Sequence, residues 1–259
     1  MSEPSTVAVI TGSTSGIGLA MAQDALARGM RVVVTSRSET KVARVAHEFG
    51  GDGDRVLGVA VDLREAPAVD ALVDQVVDRF GRVDLWVNNA AGLFFAAAQD
   101  ITPNGWRAII ETTLTSAFLC CRAVFPVMRE QQAGCIVNIS STAAYLPHPG
   151  AAHYAAAKAA LNSLTQTLGH EWAPYGIRVN GVAFGPVLTA ASRYHDPDLR
   201  AAMERDQPTG RILTAAEAAD IVLSLAAIGS PHLTGETIRV DGAFRSVLHS
   251  PLTPGPAPA

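Results

Sequence analysis

The chain has 259 residues, 48% hydrophobic and 17% charged, enough to bury one sizeable core, so a single domain covering 1–259 is expected. Its formal net charge is -4 and no run of Lys or Arg is long enough to track a phosphate backbone, which argues against a nucleic-acid partner. The opening stretch MSEPSTVAVIT lacks a basic segment followed by an apolar signal core, and no apolar run approaches bilayer length; a cytoplasmic protein without a membrane partner is expected.

The first predicted strand, VAVIT at 7–11, runs into Thr11-Gly12-Ser13-Thr14-Ser15-Gly16-Ile17-Gly18 and then a helix over 17–28. Glycines at these spacings let the backbone turn sharply and approach a pyrophosphate, while the helix N-terminus offers free N–H groups and a positive dipole end. The turn reads as a dinucleotide phosphate site, with an ordinary glycine-rich connection as the alternative.

The second strand, VVVT at 32–35, leads into Ser36-Arg37-Ser38. No carboxylate stands where an NAD-selective dinucleotide fold often places one against the ribose 2′-OH. Arg37 can pair with a 2′-phosphate and Ser36 or Ser38 can add a hydroxyl, so NADP(H) is expected over NAD(H). Ser38 also suits the N-cap of a helix over 38–49, a role compatible with phosphate binding.

Strand VLGVAV at 56–61 precedes Asp62-Leu63-Arg64-Glu65, which reads as a capping box with Asp in place of Ser or Thr, and a helix over 66–80. Strand DLWVNN at 84–89 continues into Ala90-Ala91-Gly92, and a long helix is predicted over about 106–130. Cys120 and Cys121 fall inside that helix, and with Cys135 they show neither disulfide nor metal-ligand spacing; they read as buried, reduced packing, and no metal site is expected.

Strand CIVNIS at 135–140 leads to Ser141, a helix over about 154–172 opens with Tyr154-Ala-Ala-Ala-Lys158, and strands IRVNGV (177–182) and TIRVDG (237–242) follow. The separation of four puts the phenol and the ammonium on one helical face. A nearby cation favours the ionised phenol and lowers its pKa toward the working range, equipping Tyr154 to exchange a proton. The strands are near-continuous apolar runs, the pattern of parallel strands covered by helices on both faces. The expected fold is α/β: a doubly wound parallel sheet of seven strands, the Rossmann type.

Taken together, the turn of Gly12, Gly16 and Gly18, the segment Asn88-Asn89-Ala90-Ala91-Gly92, and Ser141 thirteen positions before Tyr154 resemble the short-chain dehydrogenase/reductase family, in its NADP(H)-preferring, 3-oxoacyl-reductase-like form. The resemblance runs from about 6 to 244 and implies hydride transfer between NADP(H) and a carbonyl or alcohol carbon. It further implies that Ser141 orients the oxygen, Tyr154 delivers or removes its proton, and Lys158 also binds the nicotinamide ribose. By the same resemblance Asp62 and Leu63 border the adenine, Asn89, Ala90 and Ala91 pass close to the adenine ribose, and Gly185, Val187 and Thr189 border the carboxamide. It implies a homotetramer as well, with a dimer as the alternative.

Three positions depart from the family pattern, one of them Ala243, which replaces the usual second glycine of the terminal strand. Thr113 stands where relatives usually carry an Asn that holds a water beside Lys, and Phe184-Gly185 replaces Pro-Gly. Substrate contacts are expected from Phe94 (with Phe95), Tyr145 and His148, with His195 as a further polar contact, in a substrate loop at about 187–211. The proline-rich tail 245–259 is expected to be disordered. The expected activity is ketone reduction of a hydrophobic small molecule; the alternatives are an enoyl- or dienoyl-thioester reductase and a non-catalytic NADP(H)-binding protein.

Overall fold

The computed structural model describes residues 6–51, 53–190, 192 and 196–244; His195 and the tail 245–259 lie outside them. The chain alternates strands and helices as β1 (Val7–Ile10), α1 (Gly16–Ala27), β2 (Arg31–Ser36), α2 (Glu39–Glu48), β3 (Val56–Ala60), α3 (Ala66–Phe80) and β4 (Leu85–Asn88). It continues with α4 (Pro103–Ile110), α5 (Ser116–Gln131), β5 (Gly134–Ser141), α6 (Ala152–Trp172) and β6 (Ile177–Phe184). The last elements are β7 (Val187–Leu188), α7 (Pro197–Arg205), β8 (Leu213–Thr214), α8 (Ala215–Ala227) and β9 (Thr237–Val240).

Seven strands form one sheet in the order β3-β2-β1-β4-β5-β6-β9, every neighbouring pair parallel. This is the doubly wound arrangement expected from the apolar runs. Along β1, Ala8 and Ile10 join the core beneath α1 and α8, whereas Val7 and Val9 join the core beneath α3, α5 and α6. Successive side chains of a strand point to opposite faces, so a strand covered on both sides must be apolar throughout.

Two features go beyond the sequence reading. The helix expected over 106–130 is interrupted: Glu111–Thr115 form a π-helical turn between α4 and α5. The Thr112 and Ser116 hydroxyls donate to the carbonyls of Ala108 (2.7 Å) and Thr112 (2.6 Å), back-bonds of the kind that loosen a helical ladder. The continuous stretch Pro103–Gln131 has the length and mean hydropathy (1.4) of a membrane span, but here Cys120, Cys121, Val124 and Met128 bury its inner side against the sheet. In addition, β7 and β8 pair in a separate two-stranded sheet that closes the segment containing α7.

Candidate active site

The chain leaves β1 in one direction and returns through β4 in the other, so the connections after these adjacent strands diverge and open a crevice at the carboxyl edge of the sheet. Gly12 and Gly16 hold φ of +64° and +57° there, the left-handed region that favours glycine. At Gly18 a β-carbon would lie 2.5 Å from both Asn89 Nδ2 and the Gly12 carbonyl oxygen. Glycine is what lets Asn89 reach under the turn, where its amide donates to the carbonyls of Thr11 (2.8 Å) and Gly12 (3.3 Å). Thr11 Oγ1 in turn accepts from Asn89 N and Ala90 N, fastening the end of β4 to the glycine turn.

A cleft of ≈ 390 Å³ follows this turn, lined by Gly12, Thr14, Ser15, Gly16 and Ile17, by Ser36 and Arg37 after β2, by Asp62 and Leu63 after β3, and by Asn89, Ala90 and Ala91 after β4. Val61, Arg64, Thr112 and Ser116 also face it, and none of these was singled out from sequence. Ser13, Gly18 and Ser38 stand behind the wall. The Ser13 hydroxyl donates to the Ile10 carbonyl (2.7 Å) and accepts from Thr35 N (3.0 Å), and Ser38 caps α2 by accepting from Lys41 N (3.4 Å). These side chains hold the turn in shape.

The cleft fits a nicotinamide dinucleotide. Ser15, the N-cap of α1, makes no side-chain cap bond and no acidic residue occupies the first turn, so the helix start meets the cleft with its positive end uncompensated. Arg37 and Arg64 border the far end. The capping box expected at Asp62 is not formed: Glu65 is the N-cap of α3, and the Asp62 carboxylate accepts from Arg64 N (3.1 Å) and pairs with the Arg64 guanidinium (2.5 Å). A guanidinium fork is a stronger partner for a carboxylate than a neutral N–H. Its hydrogen bonds, with a smaller contribution from Arg37, hold the Asp62 carboxyl at about 2.

Ile17, Asn89, Ala91 and Thr189 border both this cleft and a second cavity of ≈ 430 Å³, which makes the two continuous. Ser141, Tyr154, Lys158, His148, Gly185 and Val187 line the second cavity. A buried polar chain sets α6 against the sheet: Asn88 Nδ2 donates to Asn138 Oδ1 (2.8 Å), Asn138 Nδ2 to Thr165 Oγ1 (2.9 Å), and Ser140 Oγ to Asn162 Oδ1 (2.6 Å). With the helix so fixed, Lys158 Nζ lies 5.5 Å from the centroid of the Tyr154 ring and donates to the Ile139 carbonyl at 2.5 Å. Lys158 is 2% exposed, and burial lowers its pKa from the ordinary lysine range to about 7. The Ser141 hydroxyl, at the end of β5, accepts from Ala143 N at 3.2 Å.

Thr113 lies in the π-helical turn, 1% exposed, and lines neither cavity; its hydroxyl accepts from Gly92 N at 3.4 Å and braces the segment after β4. Three expected substrate contacts are displaced, Phe94, Phe95 and Tyr145; Phe95 lies outside the cavity against the His148 ring, with centroids 5.9 Å apart. Phe94 turns away from the cavity to pack edge-on against His153, with ring centroids 4.2 Å apart, in space that Gly105 leaves open. Tyr145 stands outside the cavity beneath the Arg239 guanidinium, 5.5 Å from its ring centroid, where the cation draws the aromatic face outward. Their neighbours Leu93 and Leu146 line the cavity instead, with Pro147, Phe184, Met203 and Phe244. An offset of one residue decides which side chain faces in, and the sequence carries no periodic signal for it in these loops.

The buried cysteines match their sequence reading as packing: all three are free and buried, and burial raises their thiols, Cys121 to about 12.

A family model described as short chain dehydrogenase matches residues 6–200. Over 239 residues the chain is 36% identical to a probable 2,4-dienoyl-CoA reductase of Bacillus subtilis, covering 90% of this chain and 94% of the relative. It is 38% identical over 241 residues to 3beta-hydroxysteroid dehydrogenase 1 of Eggerthella lenta (91% and 92%), and 34% identical over 247 residues to the 3-oxoacyl-acyl-carrier-protein reductase FabG of Salmonella typhimurium (95% and 100%). Among solved structures, a short chain dehydrogenase from Bacillus anthracis superposes with a TM-score of 0.85 at 33% identity, covering 95% of this chain and 98% of that one. ElxO with NADP bound superposes with a TM-score of 0.88 at 26% identity, covering 94% and 100%. Sequence, sheet order and cleft thus agree, and the chain belongs to the short chain dehydrogenase family as an oxidoreductase of hydride transfer at a carbonyl substrate.

Proposed function

We propose that the chain is an NADPH-dependent ketoreductase acting on a hydrophobic small molecule, with Ser141, Tyr154 and Lys158 as its reacting constellation. The observation that carries this reading is the buried Lys158 beside Tyr154 in a largely apolar cavity continuous with the glycine-turn cleft. The bound cofactor supplies the hydride. The Ser141 hydroxyl positions the substrate oxygen, and the Tyr154 phenol gives that oxygen its proton as the carbonyl carbon becomes an alcohol carbon. The Lys158 ammonium stabilises the phenolate left behind and meets the nicotinamide ribose. Val187, Thr189 and Gly185 border the nicotinamide end, and the segment 187–211 is the substrate loop. Leu93, Leu146, Pro147, Met203 and Phe244 exclude water from the reacting atoms, which strengthens every charge interaction there. Arg37, with no carboxylate after β2, favours the 2′-phosphate and therefore NADPH.

Two further points belong to this reading. Thr113 stands at the usual Asn position but is engaged with Gly92, so the proton reaches Tyr154 by a route that does not depend on an Asn side chain. The enzyme is cytoplasmic and a homotetramer, with a homodimer as the alternative; Phe118, exposed on α5, and the alanine-rich face of α6 provide close-packing helix surfaces.

The Bacillus subtilis relative makes a dienoyl-thioester reductase the second reading. One experiment separates the two. Purified protein is titrated with NADPH and NADH, and cofactor absorbance is then followed with ketones, quinones, enones and a 2,4-dienoyl thioester, using Tyr154→Phe as control. We expect tighter NADPH binding, turnover of apolar ketones and loss of that turnover in Tyr154→Phe. Turnover of the thioester alone would replace the ketoreductase reading, and equal cofactor affinities would remove the role given to Arg37.

A further inference from the structure

The first turn of α6 lacks an ordinary cap. Its N-cap is Ala151, which has no side-chain acceptor, and Tyr154 at the third helical position carries one of the N–H groups that a helix leaves without an internal partner. His153 supplies that partner from the adjacent position, its Nδ1 accepting from Tyr154 N at 2.9 Å. An imidazole nitrogen that accepts is unprotonated, which puts the proton of the neutral ring on Nε2. The ring is fully buried, and Nε2 has no hydrogen-bond partner among the described residues. A buried donor left unpaired is costly, so ordinary packing would be served better by an apolar side chain of similar size.

The ring is held from the other side by Phe94, edge-on at 4.2 Å and 85°. Phe94 in turn fills the space above Gly105, where a β-carbon would approach its ring to 2.9 Å. Gly105 in α4, Phe94 after β4 and His153 in α6 therefore make one packed line that ends on the backbone of Tyr154.

We propose that His153, clamped by Phe94, is a positioning residue for Tyr154: it fixes the first turn of α6 so that the phenol stays in register with Lys158. The proposal rests on the reading of Tyr154 as the proton donor. A displacement of about 1 Å at a reacting group lowers a rate by up to about a hundredfold, so a lost bond at this backbone position is read in turnover.

The test uses the full chain with NADPH and the ketone it reduces fastest, comparing His153→Asn, His153→Leu, Phe94→Leu and Tyr154→Phe. Asparagine presents an acceptor near the Nδ1 position, whereas leucine fills similar volume without one. We expect His153→Leu to lower kcat about tenfold or more, with NADPH Kd and ketone KM changed less than about threefold, and His153→Asn to recover most of kcat. Phe94→Leu should fall between them. If His153→Leu does not fold, wild-type kcat in Phe94→Leu overturns the proposal and a selective kcat loss supports it. If Leu and Asn variants that fold share one kcat, or if both match wild type while Tyr154→Phe is inactive, the clamp is refuted and the catalytic reading stands. Activity in Tyr154→Phe would instead remove the reading on which the clamp rests.

Discussion

Among the described residues Arg37 lines the cleft without an ion pair to occupy it, whereas Arg64 is engaged with Asp62. A charge-assisted hydrogen bond contributes about 1.5–3 kcal/mol, and 1.4 kcal/mol is a tenfold change in Kd. Arg37→Ala should therefore weaken NADPH by about tenfold or more and leave NADH within about threefold, measured by fluorescence titration of each cofactor. Equal losses for both would place Arg37 in the general architecture of the cleft. At this scale the sequence was legible in placement: Arg37 lines the first cavity, and Ser141, Tyr154 and Lys158 line the second. It was not legible where direction depends on tertiary packing. Phe94 turns to His153 because Gly105 leaves room, Tyr145 turns to Arg239, and Asp62 takes Arg64 in place of the α3 N-terminus. His153 itself was passed over, since a histidine before a tyrosine carries no periodic or motif signal of its own.

The elements that matter most are those whose ends meet at the crevice. Gly18→Ala would drive a methyl to 2.5 Å from Asn89 Nδ2 and Gly12 O, so the turn and the segment after β4 must part. Overpacking of this kind costs about 1–3 kcal/mol. The variant should lose several degrees in Tm and bind NADPH at least about tenfold more weakly, checked by thermal melts and cofactor titration. An unchanged Kd would show that Asn89 can leave its place without disturbing the phosphate site. The inner strands of the main sheet were readable as apolar runs, because a strand covered on both faces has few polar positions to confuse the pattern, whereas the edge strand β9, with Ile238 and Arg239 exposed, was legible through its likeness to the family's terminal strand. The two-residue strands β7 and β8 are too short to show any period, and the π-helical turn, accompanied by back-bonds from Thr112 and Ser116, is not registered by amphipathic spacing.

Across the whole molecule, Lys158 ties activity to stability. Burial lowers its pKa from 10.5 to about 7, so between those values the unfolded chain holds a proton that the folded chain has released. Stability from this residue therefore rises as pH rises from about 7 to 10.5, and the penalty of burying its charge is fully present below about 7. Lys158→Met should abolish ketone turnover yet raise the cofactor-free Tm, most at pH 6.5 and least at pH 9.5. A Tm difference that stays constant or grows with pH would contradict the assigned burial penalty. On the proposed mechanism the same residue weakens the fold in the pH range where its charge serves the phenol.

The small β7–β8 sheet gives the segment between its strands a different kind of autonomy. Paired parallel strands lie about 4.8 Å apart, so the chain leaves through Val187 and Leu188 and comes back beside them at Leu213 and Thr214. Loop-closure entropy changes slowly with length, and the two ends stay pinned whatever lies between. The insert carrying α7 and Met203 is in effect an exchangeable cassette: its length and composition can diverge while Ser141 on β5 and Tyr154 and Lys158 on α6 keep their geometry.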